Sequence, residues 1–129
     1  EFEARYGQRL WQCDLDRYQA LSKVEPFQRA TAGLHGWITG RRRGQSQTRA
    51  ELLLVEDGEQ LKINPLARWS RSDVWRYLLA HEVPYNPLHD RGYPSIGDEP
   101  LTTAVGDGEP ERAGRWRGLD RTECGIHLI

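Results

Sequence analysis

Apolar residues recur at helical spacing over residues 3–21, where Leu10, Trp11, Leu15 and Tyr18 share one side. A second helix is predicted after Pro26, a good first-turn residue, carrying Phe27, Ala30 and Ala32 as far as Gly33. Gly33 and Gly36 interrupt the pattern, and Trp37-Ile38-Thr39 then reads as a short strand ending at Gly40. Strand, glycine and polar loop in that order is how α/β proteins set ligand-binding groups at the carboxyl edge of a sheet. Leu52 to Val55 and Gln60 to Asn64 read as a pair of strands about the Asp57-Gly58 turn. The clearest helix follows, opened by Ser70 with Asp73 three residues on, a capping-box variant. Val74, Tyr77, Leu78 and His81 share its face, Trp75 and Leu79 flank it, and Pro84 stops it. Beyond Pro84, Pro and Gly recur and periodicity fades, which predicts a long ordered loop and then a mobile tail. The fold class expected is α/β.

At 129 residues the chain allows a single modest core. No apolar run approaches the roughly 18–20 residues of a membrane span, and the first residues do not resemble a signal peptide. Two cysteines, Cys13 and Cys124, stand in unrelated contexts and do not form a disulfide framework, which suits a reducing cytoplasm. A net charge of −1 argues against a globally basic nucleic-acid binder but hides local clustering. Arg41, Arg42, Arg43 and Arg49 form one basic group and Arg112, Arg115, Arg117 and Arg121 another, with Glu99, Asp107, Glu109 and Glu111 between. The chain has no methionine and begins abruptly at Glu1-Phe2-Glu3, as expected for the carboxy-terminal portion of a longer protein.

Two stretches carry candidate chemistry. Gly40 to Arg49 has the composition of an anion-binding loop: guanidinium groups make bidentate bonds to phosphate or sulfate oxygens, and Gln45, Ser46 and Thr48 add neutral donors. A solvated basic surface or a nucleic-acid patch is the alternative, and the spacing of Arg49 favours a pocket. Near the end, Cys124 lies in Arg121-Thr122-Glu123-Cys124-Gly125-Ile126-His127, after Gly114 and Gly118. A thiolate there is a strong nucleophile that a moving tail can bring to a substrate and then to a second protein. A tail cysteine without a role is the plainer alternative. His89 is open to a catalytic or a structural reading, His35 and His81 read as loop and helix-face residues, and no metal-ligand spacing occurs. Two arginine clusters, Lys23 and one thiol are the ingredients for sulfur transfer from an anionic substrate.

These residues resemble the carboxy-terminal half of the assimilatory adenylyl-sulfate and phosphoadenylyl-sulfate (PAPS) reductases. The resemblance runs through Glu3-Ala4-Arg5-Tyr6-Gly7, Lys23-Val24-Glu25-Pro26 and Gly40 to Arg49. It continues through Trp69-Ser70 and Val74-Trp75-Arg76-Tyr77 to the run from Pro84 to Gly97, then Gly114-Arg115-Trp116, and closes on Glu123-Cys124-Gly125-Ile126-His127. It implies the carboxy-terminal part of an adenine nucleotide alpha hydrolase-like fold of the PP-loop type, with a parallel sheet. Residues 1–105 would belong to the nucleotide-binding domain and residues 106–129 to a flexible catalytic tail.

The implied activity is thioredoxin-dependent reduction of PAPS to sulfite and adenosine 3′,5′-bisphosphate in sulfate assimilation. By motif match, Lys23, Arg42, Arg43 and Arg49 would contact phosphate or sulfate oxygens, with Arg115 and Arg121 joining from the tail. Arg121 stands where relatives commonly have lysine. Cys124 would attack sulfur and become an S-sulfonate, Glu123 and His127 would tune or position the thiol, and thioredoxin or glutaredoxin would release sulfite. The resemblance further implies a homodimer, with no nucleic-acid or membrane partner.

Relatives that reduce adenylyl sulfate hold an iron–sulfur cluster on two cysteine pairs. Those positions fall here on Tyr18 and Gln19 and on Asp98 and Leu101, which points to the cluster-free, PAPS-using subtype with no metal cofactor. No Ser-Gly-Gly-type phosphate loop occurs, so this stretch alone is expected to be inactive or nearly so. The competing readings are a cluster-free adenylyl-sulfate reductase and a non-catalytic nucleotide- or nucleic-acid-binding module built on residues 41–49.

Overall fold

The structure, a computed structural model, describes residues 1–127 and falls into two units. The first comprises residues 1–35 with the segment beginning at Glu123, and the second runs from Gly36 to Thr122. Leu128 and Ile129, the end of the expected tail, lie outside the described residues.

The helix expected over residues 3–21 is three helices: α1 (Phe2–Tyr6), α2 (Leu10–Cys13) and α3 (Leu15–Gln19). Apolar spacing alone passes over the breaks. Gly7 takes φ 101, open to glycine and closed to most side chains, and Asp14 turns extended with its carboxylate accepting the Arg17 N–H at 3.0 Å. From α3 the chain stays helical into α4 (Glu25–Thr31) through one π-helical turn, Ala20–Val24. Pro26, in the first turn of α4, has no N–H to send back into that turn, which is the setting in which a helix widens. The separate helix expected after Pro26 is thus the continuation of α3, with Pro26 inside the helical run just past the π-helical turn. Leu10 and Gln19 are buried in this unit, and Phe2 packs its ring on Tyr6 and Tyr18.

In the second unit three strands form one sheet, β1 (Gly36–Ile38), β2 (Val55–Glu56) and β3 (Leu61–Ile63), in the order β1-β3-β2, and β2 shares only Val55 with the strand expected over Leu52 to Val55. β1 and β3 run parallel and β2 runs antiparallel to β3, so the expected parallel sheet is mixed in this part of the chain. Gly36 faces Leu61 so closely that a Cβ would sit 2.7 Å from the Leu61 Cβ. Ile38, Ile63 and Val55 form one cross-strand row, and all three are exposed. Leu53, Leu54 and Leu61 are exposed as well, so this unit offers apolar surface at and beside the sheet.

Helix α5 (Arg71–Ala80) begins as the capping box predicts: Ser70 Oγ accepts the Asp73 N–H at 3.1 Å, and an Asp73 oxygen accepts the Ser70 N–H at 2.9 Å. The Ser70 hydroxyl, donating to Asp73 Oδ2 at 2.6 Å, and after it the Ser70 N–H hold the Asp73 carboxyl below the ordinary aspartate range. After Pro84 the chain is the ordered loop foreseen, with 3₁₀ turns at Pro87–Arg91 and Glu99–Leu101 and a β-bridge from Thr102 to Arg115. Its apolar centre is small: Leu52, Ala67, Leu101 and Trp116 are buried.

Candidate functional site

Arginine and asparagine fill much of the second unit's interior. Arg41, Arg42, Arg49 and Asn64 are buried, a placement guanidinium groups take only with partners. The fully enclosed Asn64 ties the end of the sheet together. Its amide donates to the Leu53 carbonyl at 2.9 Å and to Glu56 at 2.7 Å, and its oxygen accepts from Arg41 Nε at 3.2 Å. Arg41 also pairs with Glu56, so the first arginine of the triplet is neutralised within the sheet.

The other arginines of the loop have different anchors. Arg42 Nη2 donates to both Glu111 oxygens at 2.9 Å, joining the loop to the acidic run 69 residues on. Arg43 Nε donates to the Leu52 carbonyl at 2.8 Å, and its own N–H to the Ala67 carbonyl at 2.9 Å. The Gln45 side-chain oxygen accepts the Arg42 N–H at 3.0 Å and Arg49 Nη1 at 2.5 Å, closing the loop on itself. A loop held at both ends keeps three guanidinium groups in fixed places, the preorganisation that binding an oxyanion requires.

The second arginine cluster also divides. Arg115 Nη1 donates to the Ile96 carbonyl at 3.2 Å and to Ser95 Oγ at 3.4 Å, and its guanidinium carbon lies 4.4 Å from the Trp116 ring centre. A Cβ on Gly97 would stand 2.2 Å from Arg115 Nη2, so the Ser95-Ile96-Gly97 block is shaped around this arginine. Arg117 forms a two-bond pair with Glu109, each contact 2.9 Å. Arg117 first, and the Gly106 N–H second, bring the Glu109 carboxyl down to about 2. Arg112 donates to the Thr122 carbonyl at 3.0 Å, and Arg121 is half-buried beside it in the chain. His89 packs edge-on against Trp75 with ring centres 5.5 Å apart, and its buried Nδ1 has no hydrogen-bond partner among the described residues.

In the first unit Cys124 is half-buried, and Sγ donates to the Gln19 side-chain oxygen at 3.2 Å. The Cys124 carbonyl accepts the His127 N–H at 3.1 Å, closing the 3₁₀ turn Gly125–His127. That turn packs on the π-helical turn at Gly125, where a Cβ would meet Val24 Cγ2 at 2.7 Å. Lys23 lies on the π-helical turn, and Glu123 and His127 flank the thiol in sequence. Cys13 is a free, exposed thiol.

The structure therefore gathers Lys23, Glu123, Cys124 and His127 in one unit and Arg42, Arg43, Arg49, Arg115 and Arg121 in the other. Sequence reasoning missed Gln19, Asn64 and the role of Glu111. Only the acidic run and the Tyr18-Gln19 replacement hinted at them. Tyr18, Gln19, Asp98 and Leu101 carry no thiolate, so these positions do not fit an iron–sulfur cluster. Among the described residues no group of three or more His, Cys, Asp or Glu side chains could hold a metal ion. No helix of the structure is long and apolar enough to cross a membrane.

Comparison with known proteins agrees with the resemblance. The phosphoadenosine phosphosulfate reductase domain matches residues 1–104. The chain is 49% identical over 132 residues to a phosphoadenosine phosphosulfate reductase of Saccharomyces cerevisiae, covering 98% of this chain and 51% of that protein. It is 55% identical over 113 residues to an adenosine 5′-phosphosulfate reductase of Burkholderia cepacia, covering 84% of this chain and 45% of that protein. Among solved structures it is similar to a phosphate complex of PAPS reductase from Candida auris, with TM-score 0.68 and 41% identity over 81% of this chain and 50% of that one. The chain spans about half the length of the curated relatives it matches. On this match the chain belongs to the phosphoadenosine phosphosulfate reductase domain family.

Proposed function

We propose that the whole protein reduces PAPS to sulfite in sulfate assimilation, with Cys124 as the nucleophile. The observation that carries this reading is Cys124 itself, in Glu123-Cys124-Gly125-Ile126-His127 of a chain about half identical to named PAPS reductases over nearly its full length. The Cys124 thiolate attacks the sulfate sulfur. An S–S bond forms, the bond from sulfur to the bridging oxygen breaks, and adenosine 3′,5′-bisphosphate leaves with that electron pair. A thiolate of reduced thioredoxin or glutaredoxin then attacks Cys124 Sγ and expels sulfite. Its second thiolate resolves the mixed disulfide, so the donor leaves oxidised and Cys124 is restored.

Arg42, Arg43 and Arg49 hold phosphate or sulfate oxygens in this reading, supported by their fixed loop and by the phosphate bound to the Candida auris relative. Lys23, Arg115 and Arg121 supply further positive charge, and Glu123 and His127 position the thiol. The protein acts as a homodimer without an iron–sulfur cluster, in a compartment such as the cytoplasm that keeps both cysteines as thiols.

A cluster-free adenylyl-sulfate reductase is the second reading, favoured by the Burkholderia cepacia relative. Turnover on the two nucleotides with reduced thioredoxin decides between them. A clear preference for PAPS is expected, and equal rates would overturn the substrate assignment. Cys124→Ser is expected to abolish sulfite release while keeping nucleotide binding. If turnover survives that change, the nucleophile is elsewhere.

A further inference from the structure

Gln19 ends α3 just before the π-helical turn and is 2% exposed. One end of its amide accepts from Cys124 Sγ at 3.2 Å, and the other, Nε2, is buried without an acceptor among the described residues. Exchanging the amide oxygen and nitrogen would put the donor at the sulfur and leave the acceptor buried, so in either orientation one polar end is unmatched. A buried polar group with nothing to bind is uncommon in a settled interior and points to a second state of the site in which it is used. The backbone supports such a state. Gly125 packs on Val24 with no room for a side chain, and the His127 N–H closes the turn on the Cys124 carbonyl, so the sulfur is held at the amide.

The nucleophile needs two different partners in turn. As a thiol it donates a hydrogen bond, and as a thiolate it only accepts one. Among neutral side chains an amide offers both ends. Resting on the proposed role of Cys124, we propose that Gln19 is a positioning residue for it: the amide oxygen holds the thiol, and after half a turn of the amide the Nε2 group holds the thiolate. The free donor of one state becomes the sulfur's partner in the other.

Two variants test this. Gln19→Met keeps the length of the side chain and removes both donor and acceptor, while Gln19→Glu keeps the acceptor and removes the donor. Charged or titratable groups on the packed segments are Asp16, Arg17 and Tyr18 on α3, Lys23 on the π-helical turn, Glu25 and Arg29 on α4, and Glu123 and His127 beside Cys124. Both variants leave all of these in place. Iodoacetamide alkylation of Cys124 is followed against pH by peptide mass spectrometry, with exposed Cys13 as the internal reference. Gln19→Glu is expected to raise the pH midpoint of Cys124 alkylation by about one unit or more, and Gln19→Met by less, with Cys13 unchanged.

S-sulfonate formation on Cys124 from PAPS is expected to slow by about tenfold in both variants, with half-saturation by PAPS within about twofold of the parent. A role in packing alone would slow the reaction and leave the midpoint in place. An unmoved midpoint in Gln19→Glu, or equal midpoints in the two variants, overturns the proposal. If Gln19→Glu does not fold, an unmoved midpoint in Gln19→Met does the same. The alkylation profile needs no substrate, so it judges Gln19 separately. Failure of the parent protein to form any sulfonate on Cys124 would instead sink the proposed function.

Discussion

Replacing Glu111 by Gln should lower stability and raise affinity for an oxyanion. Arg42 and Glu111 have side chains only 7% and 14% exposed, and a single guanidinium nitrogen meets both carboxylate oxygens at 2.9 Å. Removing one member of a pair this buried costs about 3–5 kcal/mol, because the remaining charge keeps its desolvation without its partner. Glutamine has the same shape and keeps one oxygen acceptor, recovering about 1 kcal/mol as a neutral hydrogen bond. The net loss is about 2–4 kcal/mol, read as a fall in melting temperature on the order of 10 °C. Binding moves the other way. A phosphate or sulfate oxygen reaching Arg42 must compete with the Glu111 carboxylate, and weakening that competitor by about 1.4 kcal/mol tightens binding about tenfold. Thermal melting with and without inorganic phosphate measures both effects in one experiment. An unchanged melting temperature would refute the role assigned to the ion pair. A loss of phosphate affinity would show Glu111 to be a brace for the anion site rather than its competitor.

Gly125→Ala places a methyl group 2.7 Å from Val24 Cγ2 and should displace the Cys124 turn, at about 1–3 kcal/mol of local strain. Faster alkylation of Cys124 with Cys13 unaffected checks this, and an unchanged rate contradicts it. Glu109 has its folded value near 2, below that of the unfolded chain, so its contribution to stability is complete above pH about 4.5 and fades as pH falls towards 2. Amide exchange of residues 103–117 should rise over that window, and Glu109→Gln should remove the pH dependence. The 129-residue chain by itself should release no sulfite from PAPS with reduced thioredoxin, since it lacks a phosphate loop and its sheet carries an exposed apolar row. Turnover by that chain would contradict the expectation.

Elements specified by neighbouring residues were readable before the structure. The Ser70–Asp73 box opens α5, and the Asp57-Gly58 turn separates β2 from β3. Breaks at Gly7 and Asp14 were missed because a glycine turn and an aspartate cap override apolar spacing without altering it. Candidate chemistry was legible as residue type and not as partnership. Four arginines in ten residues look alike in the sequence. Arg41 is committed to Glu56 and Asn64, Arg42 to a carboxylate 69 residues on, and Arg43 to a backbone carbonyl. Gln19 and Cys124 lie 105 residues apart, beyond any local pattern. Long-range pairing set by the fold separates equivalent side chains into different tasks.

The most direct measurement of the central claim is mass spectrometry of the protein quenched after exposure to PAPS with no thiol donor present. One sulfonate is expected on the Cys124 peptide and none on the Cys13 peptide, with its loss on adding reduced thioredoxin. Stoichiometric release of adenosine 3′,5′-bisphosphate with Cys124 unmodified would contradict it.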